Sequence, residues 1–206
     1  MSIKVFVTPK GFLKENTYVF IDEATGYKAV VDPGYYGQDI ADVIGEPATL
    51  KYIMLTHSHG DHIMALPDYR AAYPDAKLVA GIEEKMLLED SKMNGSSSMK
   101  KSVSDSAEIY AEDGQVIELG ETSIRCIHTP GHTIGGMCYL ADGTLFSGDT
   151  LFYASVGATH FPTGDWEMLK ASIYTKLFKL PDSTVVLSGH GPETSIGFEK
   201  KNNPYV

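Results

Sequence analysis

Three of the seven histidines fall within six residues, in Thr56-His57-Ser58-His59-Gly60-Asp61-His62, directly after the apolar run Tyr52 to Leu55. A strand has to end where that run ends, because three imidazoles and a carboxylate are not packing material, and the loop that follows must gather them for another purpose. His57 and His59 stand one residue apart, so in an extended loop they point the same way. Gly60 permits a sharp turn before Asp61 and His62. Four side chains of metal-binding type can therefore converge from one short loop.

The rest of the chain has to bring further donors to that loop. Short strand-like runs occupy Ile3 to Thr8, Tyr18 to Ile21 and Tyr27 to Val31, the last two joined as a hairpin through Asp22-Glu23-Ala24-Thr25-Gly26. After the histidine loop, Pro67 can open a short helix that Pro74 stops. A strand at Lys77 to Val79 and a helix over Glu83 to Glu89 follow. Residues 91–107, rich in Ser, Lys and Met and without periodicity, read as a mobile loop or lid. The second half repeats the rhythm with strands Val116 to Leu119, Ile124 to His128, Met137 to Leu140 and Leu145 to Ser147, with a tight turn at Asp142-Gly143. Asp165 is placed to cap a helix whose apolar face is Trp166, Leu169, Ile173, Leu177 and Leu180 before Pro181. A last strand, Thr184 to Leu187, leads to His190 and a polar tail. Strands grouped with helices in each half predict two sheets packed together with helices outside.

Three more candidates sit at strand ends beside glycine: His132 in Thr129-Pro130-Gly131-His132, Asp149 in Ser147-Gly148-Asp149 and His190 in Ser188-Gly189-His190-Gly191. Loops beyond the carboxyl ends of strands are where ligands gather in α/β folds, so four loops can build one site. Seven donors exceed the needs of one tetrahedral ion. With Asp149 as a bridging carboxylate they divide into His57, His59 and His132 for one ion and Asp61, His62 and His190 for the other, with an open position for water between. Imidazole and carboxylate without thiolate suit two divalent ions, zinc first and iron or manganese as alternatives. Paired ions lower the pKa of bound water towards about 7 and provide a hydroxide nucleophile.

These motifs resemble the metallo-β-lactamase superfamily, and the likeness extends from Glu15-Asn16-Thr17-Tyr18 and Val31-Asp32-Pro33-Gly34 to Asn203-Pro204-Tyr205, closest to its short glyoxalase II-like branch. The resemblance implies a four-layer αββα sandwich of two mixed sheets, a two-metal site, and hydrolysis of a thioester of acylglutathione type. His57, His59, Asp61, His132, Asp149 and His190 would carry the reaction. β-Lactamases of the superfamily commonly have cysteine where Asp149 stands, which argues against antibiotic hydrolysis. Glyoxalase II enzymes commonly carry a cation in the stretch matching Ser155-Val156-Gly157-Ala158, and Ala158 has none. The stretch after His190 is too short for the C-terminal helical domain of longer glyoxalase II enzymes, so residues 1–206 are expected to form one domain. Persulfide dioxygenases share the motifs, with one iron held by residues matching His57, His132 and Asp149, and form the alternative.

Composition narrows the partners. Seventeen Lys and Arg against 27 Asp and Glu give a net charge of −10, which opposes attraction to nucleic acid or anionic membrane surfaces. The expected partner is a small acyl or thioester compound. Two cysteines, Cys126 and Cys138, build no disulfide framework and read as small buried hydrophobes; with no signal-like apolar N-terminus, a cytoplasmic location is expected. Phe146, Phe152, Tyr153 and Phe161 are candidate walls of a pocket near Asp149, although strand aromatics are more often core. His128 is expected to support the site, and His160 stands between pocket wall and surface. No Gly-x-Ser-x-Gly elbow, dinucleotide fingerprint or phosphate loop is present.

Overall fold

The computed structural model describes residues 2–206. Strands β1 Ile3–Thr8, β2 Thr17–Asp22, β3 Lys28–Val31, β4 Leu50–Met54, β5 Lys77–Gly81 and β6 Ile109–Ala111 form one sheet in that order. The second half supplies β7 Val116–Leu119, β8 Thr122–His128, β9 Met137–Ala141, β10 Thr144–Gly148, β13 Val185–Ser188 and β14 Thr194–Ser195. These lie in the order β14-β13-β10-β9-β8-β7, with a small β11–β12 ribbon (Leu151–Phe152, Ser155–Val156) beyond β10. Both sheets are mixed: β3 to β6 run parallel after an antiparallel pair, and β10 and β13 are parallel within an otherwise antiparallel sheet.

Period-two alternation along the strands sorts the apolar residues into three layers. Val19, Val30 and Ile53 face out of the first sheet and pack with Ile40 and Ile44 of α1 (Gln38–Ile44) and Leu66 and Tyr69 of α3 (Leu66–Ala72). Their neighbours Phe20, Val31 and Met54 face in, against Cys126, Tyr139 and Phe146 of the second sheet. On the far face of that sheet, Ile127, Cys138 and Leu145 meet Leu169 and Ile173 of α5 (Trp166–Thr175) and Ile196 of α6 (Ile196–Asn202). Three cores between four layers make the expected αββα sandwich. Both cysteines are buried and unpaired.

Several expectations shift in detail. Asp165 caps α5 as expected, accepting from the Met168 N–H at 2.8 Å, but the helix ends at Thr175 and the chain continues as a separate turn over Leu177–Lys179. Leu177 and Leu180 remain in the core, so the apolar spacing was a packing signal that outlasted the helix. The region 83–89 splits into a tight turn, Ile82–Glu84, and α4, Lys85–Leu88. The tail after His190, read as merely polar, contains α6, capped by the Ser195 side chain accepting from the Phe198 N–H. No described helix is long and apolar enough to cross a membrane.

Since β8, β10 and β13 are mutually parallel, their carboxyl ends emerge at one edge of the second sheet. Cross-links bring the end of β4 to the same place: the Met137 N–H donates to Thr56 O at 2.7 Å, and the Tyr139 hydroxyl donates to Leu55 O at 2.7 Å. Gly148 ends β10 in a left-handed conformation (φ 49°) against Thr56, where a Cβ would collide with the threonine side chain.

Candidate metal centre

At that edge the structure brings together all seven residues singled out above. His57, His59 and His132 present nitrogens within 4.8 Å of one another, and Asp61, His62 and His190 present a second set within the same limit. Asp149 stands between them: its Oδ2 lies 3.6 Å from His132 Nε2 and 3.7 Å from His190 Nε2, and its Oδ1 lies 3.4 Å from His62 Nε2. Asp61 Oδ2 is 3.3 Å from His190 Nε2. α2 (Gly60–Ile63) begins immediately after His59, so its first turn aims Asp61 and His62 at the second set.

Hydrogen bonds on the far side of the rings fix which nitrogen faces inward. His132 Nδ1 lies 2.6 Å from the Ala158 carbonyl, which accepts its proton and leaves Nε2 for the centre. His62 Nδ1 is 2.9 Å from Asp32 Oδ2. The Thr56 hydroxyl donates to Asp32 Oδ2 at 2.6 Å, so its oxygen accepts from His57 Nδ1–H at 3.1 Å and leaves His57 Nε2 free.

Several buried atoms of these side chains are left without partners. His57 Nε2, His59 Nε2 and Asp149 Oδ1 are buried and make no hydrogen bond. His59 Nδ1 and His132 Nε2 face each other at 2.8 Å, and His62 Nε2 and His190 Nε2 at 3.3 Å. Burial of polar atoms without partners costs free energy unless something compensates, and imidazole and carboxylate donors gathered within a few ångströms are what a divalent cation requires. Burial, reinforced by neighbouring imidazoles, holds His57 well below the usual histidine range and His59 at about 3. Both are therefore neutral donors at pH 7. His62 goes the other way: burial disfavours its charge, but Asp61, Asp149 and Asp32 outweigh it and raise the pKa well above the usual range. The residues fit two divalent ions, one in each set with Asp149 between.

Two supporting carboxylates were given no role in the reading of the sequence. Asp32, in the Asp-Pro-Gly turn after β3, adopts φ 52° and also accepts from the Thr56 N–H at 2.7 Å, tying the histidine loop to the end of β3. The Asp32-Pro33-Gly34 turn after an apolar strand was the signal available. Glu84 is fully buried and accepts from the Ser58 N–H at 2.7 Å and the Thr133 hydroxyl at 2.8 Å, so one carboxylate clamps the His57–His59 loop to the His132 loop; burial pushes its pKa up to about 7. Nothing near it in the sequence marks it out.

A cavity of about 320 Å³ opens over the centre. Of the four candidate aromatics only Phe161 lines it, with its ring 5.2 Å from that of His59. Phe146 belongs to the inter-sheet core, Tyr153 stacks on Phe198, and Phe152 approaches the His190 ring at 6.2 Å. His128 takes no place among the donors; its Nε2 is 2.9 Å from Ile134 O, in the loop that follows His132. His160 is exposed and packs on Phe161. Ala158 opens onto a separate depression with Trp166 and Tyr205, so its side chain does not line the cavity over the metal centre.

The family model of the metallo-beta-lactamase superfamily matches residues 11–190. This chain belongs to that superfamily. It is 36% identical to a probable metallo-hydrolase, YqgX, of Bacillus subtilis, covering 96% of this chain and 95% of the relative. It is 30% identical to hydroxyacylglutathione hydrolase GloC of Haemophilus influenzae, over 100% and 98% of the two chains. Among solved structures, BLEG-1 B3 metallo-beta-lactamase superposes with a TM-score of 0.88 at 32% identity, over 98% of this chain and 99% of the other. ETHE1 from Myxococcus xanthus superposes at 0.77 and 28% identity, over 99% and 84%. TTHA1623 in a di-iron-bound form superposes at 0.83 and 29% identity, over 98% and 100%.

Proposed function

We propose that this metallo-beta-lactamase superfamily chain, acting as one domain, is a metal-dependent hydrolase of small thioesters. His57, His59 and His132 would hold one divalent ion, Asp61, His62 and His190 the other, and Asp149 both; zinc suits the donor set first, iron or manganese next. The observation that carries this reading is the pair of three-residue donor sets meeting at one carboxylate, with buried Nε2 and Oδ1 atoms left without partners. Bound there, two ions would polarise the substrate carbonyl and lower the pKa of water at the centre towards about 7. The chain's own part is positional. Asp32 and the Ala158 carbonyl hold His62 and His132 with Nε2 inward, and Glu84 keeps their loops in register. Leu13, Met99 and Phe161 wall the cavity and limit water around the reacting carbonyl.

The hydrolase name of the GloC relative supports the thioester class. The test is metal analysis of the purified chain alongside a screen of thioester, lactone, β-lactam and glutathione persulfide; a β-lactam belongs in it because one neighbour of 32% identity is a B3 metallo-beta-lactamase. Metal-dependent thioester hydrolysis with two ions per chain is expected. One iron per chain with oxygen consumption on the persulfide would replace this reading with the dioxygenase alternative.

A further inference from the structure

The cavity wall facing the donors is built by the stretch whose composition promised a mobile loop. Its backbone is tied down from several sides: the Gly60 N–H donates to Asn94 O at 2.8 Å, and the Asn94 amide donates to Leu87 O and Val103 O at 3.1 and 3.0 Å. The Ser96 N–H donates to Asn94 Oδ1 at 2.9 Å and the Val103 N–H to Ser96 Oγ at 2.9 Å, with Asn94, Ser96 and Val103 all buried. The anchoring glycine lies between His59 and Asp61; a Cβ on it would press on Ser96 and Met99. This segment is thus built onto the metal-donor loop, and it presents Lys92, Met93 and Met99 to the cavity from a fixed backbone.

The lining is mostly apolar away from the floor, with Leu13, Phe161 and Pro162 joining the two methionines. Its acidic members, Asp61 and Asp149, lie on the floor among the imidazoles. Lys92 is the one Lys or Arg among the described lining residues, and its ammonium joins none of the ion pairs among the described residues, whereas Lys85 and Lys101 face Glu89 and Asp68. In a chain of net charge −10, a lysine that lines a mostly apolar cavity and pairs with no carboxylate is a place for an anion from outside.

We propose that Lys92 is a specificity-determining residue: it binds a carboxylate carried by the substrate away from the scissile carbonyl, while the apolar arm of the substrate lies against Met93, Met99 and Phe161. The substrates selected are thioesters bearing a remote carboxylate, in preference to neutral ones of the same shape. This deepens the thioester reading and rests on it. The contact is the same before and during reaction, so it acts on KM rather than kcat. Because Lys92 is exposed, the preference is modest, about two- to fivefold, and weakens with salt.

The test compares the metal-loaded wild type with Lys92→Met and Lys92→Arg. One arm measures hydrolysis of the phenylacetyl thioesters of 3-mercaptopropanoate and of 3-mercaptopropanamide. The other measures calorimetric binding of the inert thioether 3-(hexylthio)propanoate and of its amide. Wild type and Lys92→Arg should favour the carboxylate over the amide about two- to fivefold in both KM and Kd, and Lys92→Met should abolish that preference in both. A carboxylate preference that survives in Lys92→Met, or is absent from wild type, overturns the assignment. Failure of every thioester to turn over would count against the hydrolase reading alone, since the thioether titration would still decide the role of Lys92.

Discussion

The two sheets furnish the centre in opposite ways. The first delivers four of the seven donors, His57, His59, Asp61 and His62, from the single loop after β4, and that loop is closely packed, with His57 at 2% and His62 at 0% exposure. The second delivers three, His132, Asp149 and His190, from three different strand ends, and the His190 side chain retains 29% exposure. The compact set is held by near neighbours, Thr56 and Asp32, while the dispersed set depends on how β8, β10 and β13 align. His190 is secured from across the molecule: the Asn16 amide donates to Ser188 O and Gly191 O, and the Tyr18 hydroxyl donates to Ser188 O. A loop of local design thus receives its ligand partners from long-range topology, and Asp149 is where the two meet.

The largest expected effect comes from removing that meeting point. Asp149→Ala should lower affinity for both ions, by more than the roughly 10- to 100-fold typical of changes in the surrounding hydrogen-bond shell, and abolish turnover. Metal analysis after dialysis checks this, and two ions retained with full activity would remove Asp149 from the bridge. His59→Ala comes next. It should weaken one ion selectively, so a titration that shows two equal affinities in wild type should split into a tight and a weak step.

Asp32→Asn leaves every proposed donor in place but weakens the acceptor on His62 Nδ1, so metal affinity should fall roughly 10- to 100-fold. Competition with a chelator reads this directly. An unchanged affinity would mean that the compact set needs no support from β3.

The smallest effect concerns Glu84, the clamp between the two regions. Its folded pKa of about 7 lies above the ordinary 4.5, so between those values the folded chain holds a proton that the unfolded chain has released. Stability from this group is therefore lost as pH rises through that window, by at most on the order of 3 kcal/mol. Melting temperatures of wild type and Glu84→Gln, measured from pH 5 to 8, should shift relative to each other, with wild type losing ground as pH rises. Parallel curves would show that the clamp does not titrate in this range.

The same contrast explains how much could be read from the chain itself. The compact donor cluster announces itself by crowding, and the strand-end glycines beside His132, Asp149 and His190 mark dispersed positions that the structure does bring together. The two packed sheets followed from strands grouped with helices in each half, and the structure adds the alternation by which neighbours such as Val30–Val31 and Cys126–Ile127 enter different cores. What escaped were features set by contact rather than by pattern. Glu84 looks like an ordinary helix-start acid until burial places it between Ser58 and Thr133. The 91–107 stretch has no periodicity because its order comes from Asn94 and Ser96 side chains bonding to backbone, which leaves no repeat to detect. α6 is short and rich in lysine, and only its Ser195 cap and the burial of Ile196 and Glu199 reveal it as more than tail.

The account turns on two ions sharing Asp149, and counting them is the most direct test. The chain should be purified without added metal, saturated separately with zinc, iron or manganese, dialysed, and analysed for metal per chain. The account predicts two tightly held ions per chain for the preferred metal in wild type, and loss of both in Asp149→Ala. A wild type that saturates at a single ion, with Asp61, His62 and His190 leaving its affinity unchanged when each is replaced by alanine, would contradict it.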